Sequence, residues 1–418
     1  SMVNALNTAV ERLVETNEDN RIGVVVFNGT AQMMMELTTA KEIQNKVNDG
    51  NYFEVTSFTL KEKENVDDKQ EADAEVTCHI NDETIATGSG TNIQAGLYEG
   101  MKMLENEQDT TVNVEGTEVV RVPNVILMSD GAPTTFVSAT DATYYDESDI
   151  EQTGSINKST DISDSKKTVQ SGKWWENLSS KEIGTANNSI PDGADGFMAL
   201  LTAAYGKEQI TQHYYGNDAD EDNQARVYTI GFSTDNQTDE MVAMANLVLN
   251  PNEELADAEN SSVSAVKEVW TAWNDYSQNK EPVVHAPLGS SNNSTKYDYT
   301  VAIAPNNNPA SLNYTDGYYK ADDEGALDQA FSDIVNSIIS SAKMPTDVSG
   351  TGDPLQDGYL TYTDPLGRYM KLDDVKAILW NGTLFDEKTT TNSGDGTVTY
   401  TFTGEIQNPA YTEDNNVS

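Results

Sequence analysis

Hydrophobic and polar positions along this chain alternate between a helical period and strand-like runs, with long polar stretches between them. Val3, Leu6, Val10, Leu13 and Val14 recur at the three-and-four spacing of one helix face, so the spacing predicts a helix over Val3–Val14. Arg21–Phe27 (RIGVVVF) is short, β-branched and apolar without alternation, which predicts a strand buried on both faces. Val119–Met128 and Arg226–Phe232 (RVYTIGF) read the same way. Helices are expected at Thr91–Leu104, Phe197–Ile210, Asp239–Leu249 and Gly325–Ile339. Thr91 stands where the first of these would take its cap, ahead of Ile93, Leu97, Met101 and Leu104 at helical spacing. Helices interleaved with doubly buried strands predict an α/β fold, a mostly parallel sheet with helices on both faces.

Two stretches break that rhythm. Tyr52–Leu60 and Glu75–Ile80 alternate apolar with polar around a charged segment, which predicts a hairpin-like arm over about residues 52–90 with a solvated tip. Residues 133–225 are low in core residues apart from the Phe197–Ile210 helix and read as a second inserted arm, mostly loop, pinned by Trp174-Trp175. Pro282–Leu312 is also polar and loop-like. After Met344-Pro345 the period switches from 3.6 to 2, and DGYLTYTD, VKAILWNGTLF and TVTYTFTGEI read as strands. The chain therefore divides into residues 1–344 and a β-rich part, 345–418. At roughly 70 residues the latter is short of the roughly 100 of a complete sandwich.

Charge narrows the function classes. Of 418 residues, 69 are acidic and 25 basic, for a net charge of −44. Such a surface repels phosphate backbones and anionic lipid, so neither nucleic acid nor membrane is expected as a partner. No run approaches the roughly 18 apolar residues of a membrane-spanning helix. A single cysteine, Cys78, excludes an intrachain disulfide, and His79, His213 and His285 lie far apart. Little material is left for a zinc site or a Ser-His-Asp triad, and Cys78-His79 reads as an ordinary strand pair. The acidic, Asn- and Thr-rich composition fits a secreted or wall-bound protein. Ser1-Met2 runs straight into an amphipathic pattern, as in a piece of a longer polypeptide. The acidic clusters Asp218–Asp222 and Asp322–Glu324 lack EF-hand spacing and read as solvated charge.

Two residues remain as candidate chemistry. Open parallel sheets bind ligands at the carboxyl ends of their strands. Asp130 follows one such strand, with Gly131 permitting a tight loop, and Thr91 opens a helix. A carboxylate and a hydroxyl are oxygen donors suited to a hard divalent cation. Each also has an ordinary reading, as turn and cap.

The order of VNALNTAVERLV, RIGVVVF, TNIQAGLYEGMKML, VILMSDGAPT, VYTIGF and YYKADDEGALDQAFSDIVNSI resembles the von Willebrand factor A domain over most of residues 1–340. That resemblance implies a Rossmann-like sheet and a metal-ion-dependent adhesion site on three loops, which carry Asp-x-Ser-x-Ser, a Thr and an Asp. Thr91 matches the second loop and Asp130 the third. The first motif belongs to a central strand upstream of Val3 and is absent here. Asp347–Thr351 imitates it on the wrong side of the last helix. The inserted arms are similar to those of wall-anchored proteins and pilus tip adhesins of Gram-positive bacteria. TYTDPLGRYM and YTFTGEIQNPAY are similar to the start of a Cna-B-like β domain, a type that often carries Lys–Asn cross-links, though none is assigned here. The implied function is non-enzymatic: an extracellular, wall- or pilus-associated adhesion module. It would engage a host or cell-surface protein through Mg²⁺ or Mn²⁺, with Ca²⁺ a further candidate, alongside other pilus or wall subunits. The alternatives are a structural spacer without metal-dependent binding and, more weakly, a glycan-acting hydrolase. With the first motif absent, little or no cation binding is expected at Thr91 and Asp130 in this chain.

Overall fold

The computed structural model describes most of residues 2–341, leaving out 63–69, 157–161, 163–165, 185–191, 220–222, 233–236, 288–297, 304–308 and a few shorter gaps. Beyond them it describes the strand pieces 379–380, 383–384, 388–392 and 398–402. Contacts divide the chain into two units, Ser1–Pro345 and Thr346–Ser418.

In the first unit, α1 (Met2–Thr16) leads into β1 (Arg21–Phe27), β2 (Ala31–Thr39) and α2 (Ala40–Lys46). β3 (Phe53–Glu62), β4 (Gln70–Cys78) and β5 (Glu83–Ala86) form an antiparallel arm. Next come α3 (Ile93–Glu105), the hairpin of β6 (Thr111–Val114) and β7 (Thr117–Val120), and β8 (Asn124–Ser129). The second insertion holds β9 (Thr135–Ala139), β10 (Thr143–Tyr145), β11 (Glu151–Thr153), β12 (Lys167–Gln170) and β13 (Leu178–Gly184). α4 (Gly193–Tyr215), β14 (Arg226–Phe232), α5 (Asp239–Leu249), α6 (Pro251–Glu254) and α7 (Ser264–Ser277) follow. β15 (Val283–Pro287), β16 (Asp298–Ile303), β17 (Gly317–Ala321) and α8 (Glu324–Ser341) end the unit. In the second unit, β18 (Leu379–Trp380) pairs antiparallel with β19 (Thr383–Leu384), and β20 (Lys388–Asn392) with β21 (Val398–Phe402). DGYLTYTD, TYTDPLGRYM and Asp347–Thr351 lie outside the described residues, as does most of Asp218–Asp222.

The protein is thus a mixed α/β structure with a parallel sheet. That sheet has the order β17-β14-β8, with Tyr228 of β14 opposite Ile126 on one side and Gly317 on the other. β1 pairs antiparallel with β2 as a separate ribbon. Among the described residues neither β1 nor β8 has a strand partner on its other edge.

Two helices bridge the pieces, one on each face. Side chains alternate along a strand, and Val227 and Leu127 lie in the cluster containing α3, while Tyr228 and Ile230 lie in the one with Ala5 and Ala9 of α1. α1 also sends Val10 and Val14 against Val24, Met34 and Met35 of the ribbon. On the opposite face Gly96 of α3 lies against Phe27 so closely that a Cβ there would stand 2.5 Å from the ring. Ile93 and Leu97, on the same helix, share a core with Leu127 of β8.

Several expectations need correcting. β1 was expected to be doubly buried in a parallel arrangement, but its only described partner is antiparallel and only Val24 is buried. A strand laddered along one edge leaves the side chains near its other edge partly wet. β2 and α2 were not anticipated, although Thr39 and Glu42 make a reciprocal capping box. The Val119–Met128 run is two strands interrupted near Pro123, which has no N–H to donate. The second insertion contains five described strands rather than loop, and Pro282–Leu312 contains β15 and β16. Trp174 and Trp175 are buried there, with Trp175 edge-on to Tyr98 at 5.1 Å and its Nε1 donating to Glu105 Oε2 at 3.0 Å.

α4 is buried on every side from Gly193 to Ala204 and on one face beyond, against α3, α5, α7, β9 and β15. A Cβ at Gly206 would collide with Met101 Sδ and come within 2.8 Å of Trp175 Cη2. The Trp175 ring is held by its own contacts and cannot swing away. Gly206→Val should therefore destabilise the protein by about 1–3 kcal/mol, read as a lower denaturant midpoint at unchanged slope.

Candidate functional site

The candidate residues sit beside the loops at the carboxyl ends of β1 and β8, Thr91 just ahead of α3 and Asp130 directly after β8. Asn92 ties the first of these loops to α3. Its backbone N–H donates to Asn28 O at 2.6 Å, and its side-chain Nδ2 donates to Gly29 O at 3.0 Å. Its Oδ1 accepts from Ala95 N at 2.9 Å, which makes Asn92, not Thr91, the N-cap of α3. Freed from capping, Thr91 joins the next loop: its N–H donates to Thr134 Oγ1 at 2.9 Å, and Thr134 N–H donates back to Thr91 O at 2.9 Å. Asp130 lies between β8 and Thr134. Ser129 Oγ donates to Gly131 O at 2.9 Å, and Gln237 Nε2 donates to Asp130 O at 2.8 Å. The Thr91 and Asp130 loops are thus fastened together, with the Asn28–Thr30 loop on one side and the segment leading into α5 on the other.

Thr91 is half-buried and Asp130 exposed. The protein crowds the Asp130 carboxyl even though solvent reaches it, and this desolvation moves its pKa up from the ordinary carboxylate value. The implied cation would meet one hydroxyl and one carboxylate here. Those are too few donors for an ion that takes about six oxygens, so these two residues do not by themselves fit a metal centre. Among the described residues no three Asp, Glu, His or Cys side chains gather as a metal-binding group. A recess of about 530 Å³ runs along the second half of α4 and Ala310–Tyr314, and shares no lining residue with these loops.

No protein family, curated protein or solved structure matches this chain. The local geometry therefore carries the argument.

Other residues singled out in the sequence fall elsewhere. Cys78 is buried opposite Phe53 in the arm, where desolvation moves its thiol pKa up. His79 Nε2 pairs with Glu54 Oε2 at 3.1 Å. His213 meets Glu107 O at 2.6 Å, and His285 lies on β15. Asp323 Oδ1 accepts from Ala326 N at 2.8 Å, an ordinary capping contact. No described helix is long and apolar enough to cross a membrane.

Sequence reading missed Asn92, Thr134 and Gln237 as loop fasteners. Asn92 could have been found, because Asn is among the strongest N-cap residues and stands directly before the apolar pattern. Thr134 and Gln237 reach across loops distant in sequence and leave no local signal. Asn92→Ala removes the cap and the tie to Gly29 together. The expected loss is about 2 kcal/mol, measured by chemical denaturation, with Thr91→Val nearer neutral.

Proposed function

We propose that this chain is a von Willebrand factor A-type binding module of an extracellular, wall- or pilus-associated Gram-positive protein, acting by adhesion rather than by turnover. The observation that carries the reading is the two-part sheet. β2-β1 and β8-β14-β17 are bridged by α1 on one face and α3 on the other, and each presents an unpaired edge among the described residues. In the order of that family, one central strand belongs between β1 and β8. Its carboxyl end would carry Asp-x-Ser-x-Ser to the loops where Thr91 and Asp130 are fastened together.

The mechanism follows from donor chemistry. Three side chains from that motif, with Thr91 and Asp130, would hold Mg²⁺ or Mn²⁺ and leave one position open. An acidic residue of a host or cell-surface protein would fill it, so the cation supplies attraction that a chain of net charge −44 otherwise denies. The first arm offers a second contact surface: Val55 and Phe58 on β3 are 44% and 63% exposed. The β-rich unit beyond residue 345 is read as the beginning of a Cna-B-like domain.

Two measurements test the reading. In the first, Mn²⁺ is titrated calorimetrically into the chain as it stands and into a version carrying, ahead of Ser1, an apolar strand ending in Asp-x-Ser-x-Ser. The extended version should bind at these loops and Asp130→Ala should abolish that binding; an extended version that binds no better than the chain itself would count against the assignment. The second is adherence to host cells. Val55→Ser with Phe58→Ser should lower it without changing the melting temperature, whereas unchanged adherence favours the spacer role.

A further inference from the structure

The first arm carries an apolar stripe on one face, and a β-bulge puts it there. Opposite residues of β3 and β4 keep one register from Phe53–Cys78 to Val55–Val76 and another from Ser57–Glu75 onward, so Thr56 is an extra residue on β3. Side chains alternate along a strand, and without the extra residue Val55 and Phe58 would point to opposite faces. With it they share the face of Val76, Cys78 and Ile85, while Thr56 Oγ1 lies 3.1 Å from Thr77 Oγ1 on the other. At the root that face is buried, since Phe53, Cys78 and Ile85 belong to a core with α1 and α2. Further out it runs into solvent, and Phe58 is the most exposed large hydrophobic side chain among the described residues.

The edge beside that stripe is open. Among the described residues β3 is the outer strand of the arm, paired only with β4. Tyr52 O accepts from His79 N at 2.8 Å, so the next pair, Phe53 and Cys78, is a non-hydrogen-bonded one, and Phe53 turns its N–H and C=O away from β4. The side-chain amide of Asn7 meets both, as the peptide group of a neighbouring strand would. Its Nδ2 donates to Phe53 O at 2.8 Å and its Oδ1 accepts from Phe53 N at 2.9 Å. Phe58 stands opposite Ala74, an even number of residues along β4 from Cys78, and turns its own N–H and C=O outward in the same sense. The face opposite the stripe is acidic: it holds Glu54, whose side chain is half exposed, and Glu75. The strands of the arm also carry Glu62, Glu71, Asp73 and Glu83, against Lys61 as their one basic residue.

We propose that the outer edge of β3 takes an extended segment of another protein in which apolar residues alternate with Lys or Arg. The segment adds a strand to the arm, laddering onto the backbone groups that Phe58 turns outward. Its apolar residues cover Val55 and Phe58, and its basic residues stand beside Glu54 on the acidic face. A second copy of the chain is a poor occupant, because it brings a net charge of −44 to the same edge. The proposal rests on the reading of the first arm as a contact surface, and not on the metal site.

The test uses the whole chain and a fluorescein-labelled peptide of about ten residues that alternates Val with Lys, followed by fluorescence anisotropy. A scrambled peptide of the same composition measures attraction to net charge alone and should bind about tenfold more weakly. Methylating the backbone nitrogens of one alternate set of peptide residues should abolish binding, and methylating the other set should leave it, because only one set faces β3. Val55→Ser with Phe58→Ser should weaken binding of the alternating peptide about tenfold. Glu54→Gln should weaken it less and flatten its dependence on salt. Equal binding of the alternating and scrambled peptides would overturn the proposal, as would equal loss on methylating either set. Wild-type dimers in sedimentation equilibrium that the double variant dissolves would also overturn it, and would make a second copy the occupant. Lower adherence of the double variant with no peptide binding by the wild type would overturn strand addition and leave the contact-surface reading standing. Peptide binding with unchanged adherence would do the reverse.

Discussion

Backbone N–H and C=O groups along a strand must be hydrogen-bonded or wet, and here that requirement falls on β1 and β8. Each is laddered on one side only among the described residues. The ribbon and the parallel sheet are held in a common frame by side-chain contacts across helices and by the hydrogen bonds of Asn92, not by a continuous ladder. The half-burial of Val25, Val26, Val125 and Ile126 follows from the same cause. Residues of that type are ordinarily interior, and here each lies on a strand with one unpaired edge.

The second constraint is α4. A helix apolar around most of its circumference needs walls on all sides. The parallel sheet cannot supply them alone, so the second insertion does: β9 lies against it, and Trp174 and Trp175 close over Tyr205 and Tyr98. Asp195, in the first turn of the same helix, is fully buried too.

Legibility in the sequence tracked how local the determining physics was. Arg226–Phe232 and Asp239–Leu249 were read with the bounds the structure gives them, because an unbroken apolar run and a Thr238 cap are local signals. α7 was missed because Trp270, Trp273 and Tyr276 are interleaved with Asn, Asp and Ser, which blurs its period. β2 was missed because AQMMMELTT neither alternates nor stays apolar, and its strand state comes from pairing with β1. Asp130 was read as an oxygen at a strand end and Thr91 as one at a helix start, and those are their places along the chain. That Thr91 is not the cap, and that Thr134 fastens it, depended on contacts between loops distant in sequence. Asp195 lies ahead of the helix expected at Phe197–Ile210, which in the structure begins at Gly193 and so takes it in.

The first arm has one further consequence. Its roots do not behave as an appendage: Phe53, Cys78, Ile80 and Ile85 share one core with Val10, Met34 and Ile43. Asn7 grips Phe53 from α1 through both its backbone N–H and its C=O. The arm is therefore not a cassette to be exchanged whole. Substitutions at its root are confined to side chains that keep the apolar pattern shared with α1, β2 and α2.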